Sequence, residues 1–289
     1  METSNVHDTV EDMIKSHSQS FYKAFGLLPE KKARAVFAIY AFCRTADDAI
    51  DVEKDIEKID ALETKVKATF DGKPPEEPIF QALHEAITEF PSDIKPYLEL
   101  LEGVRGDYNG VTMDTDADLE TYCYKVAGTV GLMLLPVIAS EKLKKEKKAL
   151  TEVAIELGKA MQLTNILRDA RDDLIHDRVF FSTETIEHHQ LEMEITRTGL
   201  VTPEWISMNE HYIRLAKEKY KTFYDKLELF DKDSVYPTML AARFYEAILD
   251  RIIRKGYTNL NRRHDIGSLK KWSISRGVKK DLKKRGLVE

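Results

Sequence analysis

Apolar residues recur three and four positions apart along almost the whole of this chain, and that period confines it to helices. Ile56, Ile59, Leu62, Val66 and Phe70 form one such stripe; Leu215, Tyr220, Phe223, Leu227 and Phe230 form another. Side chains at this spacing share one face of an α-helix, whereas a half-buried strand alternates. Turn formers are scarce as well. Thirteen Gly and nine Pro are about 8% of the 289 residues, against roughly 12% in average usage. That is too few for a many-stranded sandwich or barrel. Pro29 opens a helix expected from about Glu30 to Val52. Asp71-Gly72-Lys73-Pro74-Pro75 marks a loop, and Thr115-x-x-Asp118 has the spacing of a capping box. A second long helix is expected from about Lys144 to His176 and another from Pro203, with Phe180 to Thr185 a short connection. The reading is all-α, roughly eight to ten helices, in a single domain over residues 1–289.

Composition removes several classes of function. At 43% apolar the chain is not disordered, and its length suffices for one large core. Cys43 and Cys123 make neither a disulfide framework nor a four-thiolate zinc site, and read as buried, inert thiols. Residues 1–12 lack the apolar segment of a signal peptide. Val126 to Ser140 is nearly uncharged, but it is shorter than the roughly 18 residues of a membrane span and contains Pro136, so a buried core helix is expected. A cytoplasmic location follows as the expectation. The net charge of −6 is uneven: residues 262–289 carry +7 and the rest −13. An acidic body argues against a nucleic-acid partner. The basic C-terminal tail, from about residue 262, is either a solvated end or a contact for an anionic membrane surface. Trp272, Ile274, Val278 and Leu282 are expected to form its apolar face, weakened by Gly277.

Two acidic stripes carry the chemistry. Asp47 and Asp51 stand four apart and project from one helix face. They lie late in their helix, where the dipole disfavours anions, so a cation is needed, and Arg44 is expected to compensate Asp47. Asn165, Asp169 and Asp173 repeat the pattern at i, i+4 and i+8, with Gln162 one turn earlier and Leu163, Ile166 and Leu167 around them. Asn is a poor helix former, so its amide oxygen must have a use there. Two such helices facing each other offer hard oxygen ligands suited to Mg²⁺, which keeps further positions for water and phosphate. Arg44 and Arg168 are placed to hold the same phosphate oxygens. The implied ligand is a diphosphate bound through metal in an apolar helical cavity. Other sites fail on spacing. None of the eight His follows Glu by three positions as a di-iron bundle requires, and no His-Glu-x-x-His, Walker A or Gly-x-Gly-x-x-Gly sequence is present. Gly128-x-x-Gly131 reads as close helix packing.

Together these residues resemble the squalene/phytoene synthases, all-α head-to-head prenyl transferases. Asp47-x-x-x-Asp51 and Asn165-x-x-x-Asp169-x-x-x-Asp173 carry the likeness, with His17 to Phe21, Ala38 to Arg44, Tyr122 to Gly131 and Ala241 to Tyr245. Within the family the chain is similar to bacterial dehydrosqualene (4,4'-diapophytoene) synthases. The resemblance implies an isoprenoid-synthase-type helical bundle with a central cavity. It implies Mg²⁺ on Asp47, Asp51, Asn165, Asp169 and Asp173, and a catalytic set of the four aspartates with Arg44, Arg168 and Tyr122. His17, Ser18, Gln19, Ser20, Tyr40, Arg44, Gln162, Arg168, Tyr245 and Arg262 would contact the prenyl diphosphate. As plain structure, the three tyrosines are core aromatics with wet hydroxyls, and His17 and Ser18 close a helix turn.

The reaction implied joins two farnesyl diphosphates, through presqualene diphosphate, into dehydrosqualene. The alternatives are NADPH-dependent squalene synthesis, phytoene synthesis from geranylgeranyl diphosphate, terpene cyclisation, and a non-catalytic helical assembly factor. Phe21, Phe25 and Phe37 are expected to form a cavity floor that favours the shorter farnesyl chain.

Overall fold

The computed structural model describes residues 3–110 and 112–289, without the side chains of residues 3–5, 51 and 109. Fourteen α-helices run along it, and no strand occurs among the described residues. The first nine are α1 (Thr3–His17), α2 (Gln19–Phe25), α3 (Glu30–Asp51), α4 (Ile56–Phe70), α5 (Pro78–Glu89), α6 (Lys95–Asn109), α7 (Asp116–Cys123), α8 (Thr129–Ile138) and α9 (Leu143–Ile175). Then come α10 (Thr183–His188), α11 (Met193–Arg197), α12 (Pro203–Tyr224), α13 (Lys232–Arg254) and α14 (Ser268–Lys284). The count exceeds the expected eight to ten because α2, α7, α10 and α11 are about one or two turns long, too short to show a period. A cap defines α10: Ser182 accepts from the Thr185 N–H, so this helix begins inside the stretch expected as a connection.

Two helices organise the bundle. In α3, Ala35, Ala38, Ala41, Ala46 and Ala49 are buried beside Phe42 and Ile39, and these small residues let α1, α5, α6 and α8 approach on several sides. The 33-residue α9 packs against α12, α8 and α13. Its crossing with α8 rests on glycine. A Cβ on Gly131 would collide with the Ala154 carbonyl, and one on Gly158 with the Ala127 carbonyl. The expected role of Gly128-x-x-Gly131 in close packing is therefore observed.

The helical run Asp116–Ile138 is opened by the expected capping box, in which Thr115 and Asp118 bond reciprocally. Between α7 and α8 it passes through a π-turn, Tyr124–Gly128. Among the described residues it is the one helix long and apolar enough to cross a membrane. Here its apolar residues meet protein: Met133, Leu135, Val137 and Ile138 are core, while Val126, Val130 and Leu134 line a cavity.

A buried charge network closes the far side. Lys32 Nζ lies 2.9 Å from Asp231 and 2.7 Å from Asp233. Asp231 also accepts from Ser140 Oγ at 2.7 Å and the Glu141 N–H at 3.1 Å. This joins the starts of α3 and α13 to the turn between α8 and α9.

The basic C-terminal stretch is a folded helix: α14 packs on α13 through buried Val278 and Leu282, with Ile274 half-buried. Trp272 does not join that face. It lies roughly 120° around the helix from Val278 and is exposed. Both cysteines are buried and free, as expected.

Candidate active site

A cavity of about 750 Å³ opens between α3, α9, α13 and the start of α2. It continues into an apolar extension of about 200 Å³; the two share Phe21, Tyr40, Cys43, Asp47, Gln162, Asn165 and Tyr245 as walls. The helical period explains the gradient along it. On α3, Val36, Ile39, Tyr40, Cys43 and Asp47 form one face, passing from apolar to acidic. On α9, Ala154, Leu157 and Met161 line the apolar part, and Asn165, Asp169 and Asp173 follow toward the mouth. Each helix supplies grease at one end and oxygen at the other.

Most residues singled out in the sequence meet here. His17, Ser18, Gln19 and Ser20 line the mouth from the α1–α2 junction. Tyr40, Arg44 and Asp47 come from α3, Tyr122 from α7, and Tyr245 from α13. Gln162, Asn165, Arg168, Asp169 and Asp173 come from α9. Asp51 ends α3, but its side chain lies outside the described residues.

Two expectations are corrected and a third is extended. Arg262 is exposed and away from the cavity; the neighbouring Arg263 reaches it, with Nη1 3.3 Å from Asp169. The chain there is coil, so no period fixes which of the two arginines turns inward. Phe37 is buried on another side of α3, its ring 5.8 Å from that of Tyr22, whereas Phe21 and Phe25 do line the cavity. Arg44 compensates Asp47 through charge as expected, but its fork hydrogen-bonds Asp48, with Nε 3.1 Å from Oδ2, because the i, i+4 spacing suits the guanidinium.

Several contributors were missed. Arg178 lines the mouth and pairs with Asp173 at 3.0 Å. Phe180 stacks on Tyr122 with centroids 5.4 Å apart, and the Tyr122 hydroxyl donates to Asp107 at 3.2 Å. Burial first, then Asp107, pushes this phenol well above its ordinary value, so it stays neutral. Asp116 anchors the segment carrying Arg178 and Phe180. It accepts from Ser182 and Thr185 and lies 3.3 Å from His211 Nε2. Burial would raise its pKa, but the bonds from Ser182, Thr185 and His211 hold it below the usual carboxylate value. The one available sequence signal was the capping box beside it.

Paired charges and aromatic rings line the cavity together. Arg168 donates to Asp169 at 2.9 and 2.6 Å and lies 6.0 Å from the centre of the Tyr245 ring. Burial opposes its charge, but Asp169 outweighs burial and keeps it protonated. Phe21 stacks on Tyr245 at 4.9 Å and meets Tyr40 edge-on at 6.4 Å. Burial and then Tyr245 raise the Tyr40 pKa, keeping it neutral. His17 Nδ1 lies 2.9 Å from the Met13 carbonyl, closing α1 while bordering the mouth.

Asn165 stands apart. Its Nδ2 donates to Gln162 at 3.2 Å, yet its buried Oδ1 has no hydrogen-bond partner. Leaving such an acceptor unsatisfied costs about 1–3 kcal/mol, so it fits a bound cation or donor. Among the described residues no three His, Cys, Asp or Glu side chains converge to hold a metal alone. The donor set suits a hard cation that shares its shell with phosphate oxygens.

Residues 14–270 match the family model for squalene/phytoene synthases. The chain is 35% identical over 280 residues to the 4,4'-diapophytoene synthase of Staphylococcus haemolyticus, covering 94% of this chain and 95% of that one. It is 35% identical over 261 residues to the phytoene synthase of Thermus thermophilus, covering 90% and 86% respectively. The crystal structure of a dehydrosqualene synthase in complex with ligand superposes with a TM-score of 0.92 at 31% identity, covering 98% of both chains.

Proposed function

Because the chain belongs to the squalene/phytoene synthase family, we propose that it joins two farnesyl diphosphates head to head, through presqualene diphosphate, into dehydrosqualene. The observation that carries this reading is one cavity in which a charged mouth opens into an apolar extension. A prenyl diphosphate has that polarity. The bulk of Phe21 and Phe25 in the wall of the extension supports the shorter chain.

Arg168, held charged beside Asp169, and Arg263 at the same carboxylate are placed to take diphosphate oxygens. Asp47, Asp51, Asn165, Asp169 and Asp173 would hold Mg²⁺, which supplies neutralisation of the departing diphosphate when bound. Aromatic faces of Phe21, Tyr40 and Tyr245 lie beside the region where the allylic cation forms, and such faces stabilise cations without bonding to them. The high pKa of Tyr40 keeps its phenolate from trapping one. The apolar walls exclude water, which would quench it.

Purified protein given Mg²⁺ and either farnesyl or geranylgeranyl diphosphate, with and without NADPH, tests the reading by mass spectrometry of pentane-soluble products. Dehydrosqualene in both farnesyl diphosphate samples is expected. Squalene appearing only with NADPH, or products formed solely from geranylgeranyl diphosphate, would replace it with the corresponding alternative.

A further inference from the structure

The outward face of α14 has a composition of its own. With Val278 and Leu282 buried, the opposite side of the helix at 100° per residue carries Leu269, Trp272, Arg276, Lys279, Lys280 and Lys283. No acid lies on it: Asp281, the one acid in α14, is half-buried toward the body and paired with Arg285. Leu269 is 86% exposed, the highest of the large apolar residues described, and Trp272 is 60% exposed. The Arg276 guanidinium lies 4.7 Å from the Trp272 ring centre. Two large apolar side chains thus stand in water together on an otherwise basic face.

The position of this face matters as much as its composition. Lys271, on the inner side between Leu269 and Trp272, lines the cavity mouth with Asp265 and Ile266. Burial and the nearby Lys23 of α2 both lower the Lys271 pKa, which places a further exposed cation beside the same rim. The apolar end of the face thus borders the mouth, and the basic end extends away from it.

We infer that this face seats the protein on an anionic lipid bilayer, with Leu269 and Trp272 at the interface and the lysines over the headgroups. Tryptophan prefers the boundary between water and acyl chain, and basic side chains are attracted to anionic lipid within about a Debye length. The body carries −13, so the face pulling toward the membrane is set against a body that repels it. A weak, salt-sensitive and oriented contact results. It would place the mouth where a water-insoluble hydrocarbon has somewhere to go; this last point rests on the proposed reaction, whereas the contact itself does not.

The full-length chain offers an internal probe, because its two tryptophans differ: Trp205 is wholly buried and Trp272 is not. Without substrate, vesicles of equal parts phosphatidylcholine and phosphatidylglycerol should shift the tryptophan emission to the blue and co-sediment the protein at low salt. Vesicles of phosphatidylcholine alone should do neither. The shift should vanish in Trp272→Phe. Lys279→Glu, Lys280→Glu and Lys283→Glu together should weaken binding by about a hundredfold or more, with turnover on soluble substrate unchanged. Binding without a shift, equal binding to neutral vesicles, or a salt-sensitive self-association lost in the triple variant would each overturn the assignment. The last would give the face to the acidic body of a second copy.

Discussion

Two regions of this molecule bury charge, and they do so in opposite ways. At the far side, Asp231 is 1% exposed and accepts from Lys32, Ser140 and the Glu141 N–H, all within the protein. At the mouth, Asp169 shares two arginines, Asp173 faces Arg178, and the buried Oδ1 of Asn165 has no hydrogen bond. Both are built around aspartates paired with cationic side chains. The first is complete and acts as a fastener; the second is left open on its cavity side, as a binding site must be. Satisfaction of polar groups, more than burial or charge, separates structure from function here.

The largest effect should come from breaking the complete network. Asp231→Ala leaves the Lys32 ammonium only the exposed Asp233 carboxylate and takes the acceptor from Ser140 Oγ and the Glu141 N–H; breaking a buried pair costs up to about 3–5 kcal/mol, measured as a lower midpoint in urea. The pH dependence has a definite sign. Lys32, Ser140 and the Glu141 N–H outweigh burial and hold the Asp231 carboxyl below its ordinary value. Its contribution is therefore complete above the unfolded pKa of about 4 and is lost as pH falls through the lower folded value. Asp231→Asn should flatten that acid limb.

At the mouth the loss should fall on turnover. Asp47→Asn and Asp169→Asn are each expected to lower kcat by about 100- to 1000-fold, the range for removing one transition-state electrostatic contact. Asp47→Asn should leave the melting temperature nearly unchanged. Asp169→Asn should lower it, because Arg168 and Arg263 lose a charged partner. Equal activity of both variants with Mg²⁺ present would remove the carboxylate stripes from the mechanism.

Asn165→Ala sharpens the contrast further. Deleting a buried acceptor that has no partner should leave stability unchanged or raise it by about 1 kcal/mol, while activity drops about tenfold or more. A stability loss comparable to that of Asp231→Ala would make the two regions alike. The smallest effect is in specificity: Phe25→Ala should shift the preference toward geranylgeranyl diphosphate several-fold. Phe37→Ala, whose ring lies against Tyr22, should not change the ratio, and an equal shift in both would return Phe37 to the cavity wall.

How legible all this was depended on whether a period governed the residue. α3 and α9 were readable because apolar neighbours fixed which side faced inward, so Asp47, Asn165, Asp169 and Asp173 were placed together correctly. Gly131 was readable as packing because the helix around it is apolar. Outside a helix that logic lapses: Arg263 and Arg262 differ by one position in coil, and only the folded chain selects between them. Arg178 and Phe180 reach the mouth through tertiary bonds to Asp116, between residues more than sixty positions apart, for which a single sequence holds no local sign. Phe37 failed for a subtler reason: both sides of α3 are buried, so burial did not tell cavity from core.

The glycine contacts between α8 and α9 carry a consequence for how such a cavity can diverge. Where Gly131 meets the Ala154 carbonyl and Gly158 meets the Ala127 carbonyl, the two backbones are in contact and cannot close further. Any larger residue there must pry the helices apart. That wall is a fixed anvil. The gauge of the cavity is therefore set by side chains and not by the spacing of these helices: Phe21, Phe25, Val36 and Ile39 of α2 and α3, and Leu134, Leu157 and Met161 of α8 and α9, can be trimmed or enlarged. A lineage altering its product length would accumulate substitutions at these lining side chains and keep the two glycines between the helices.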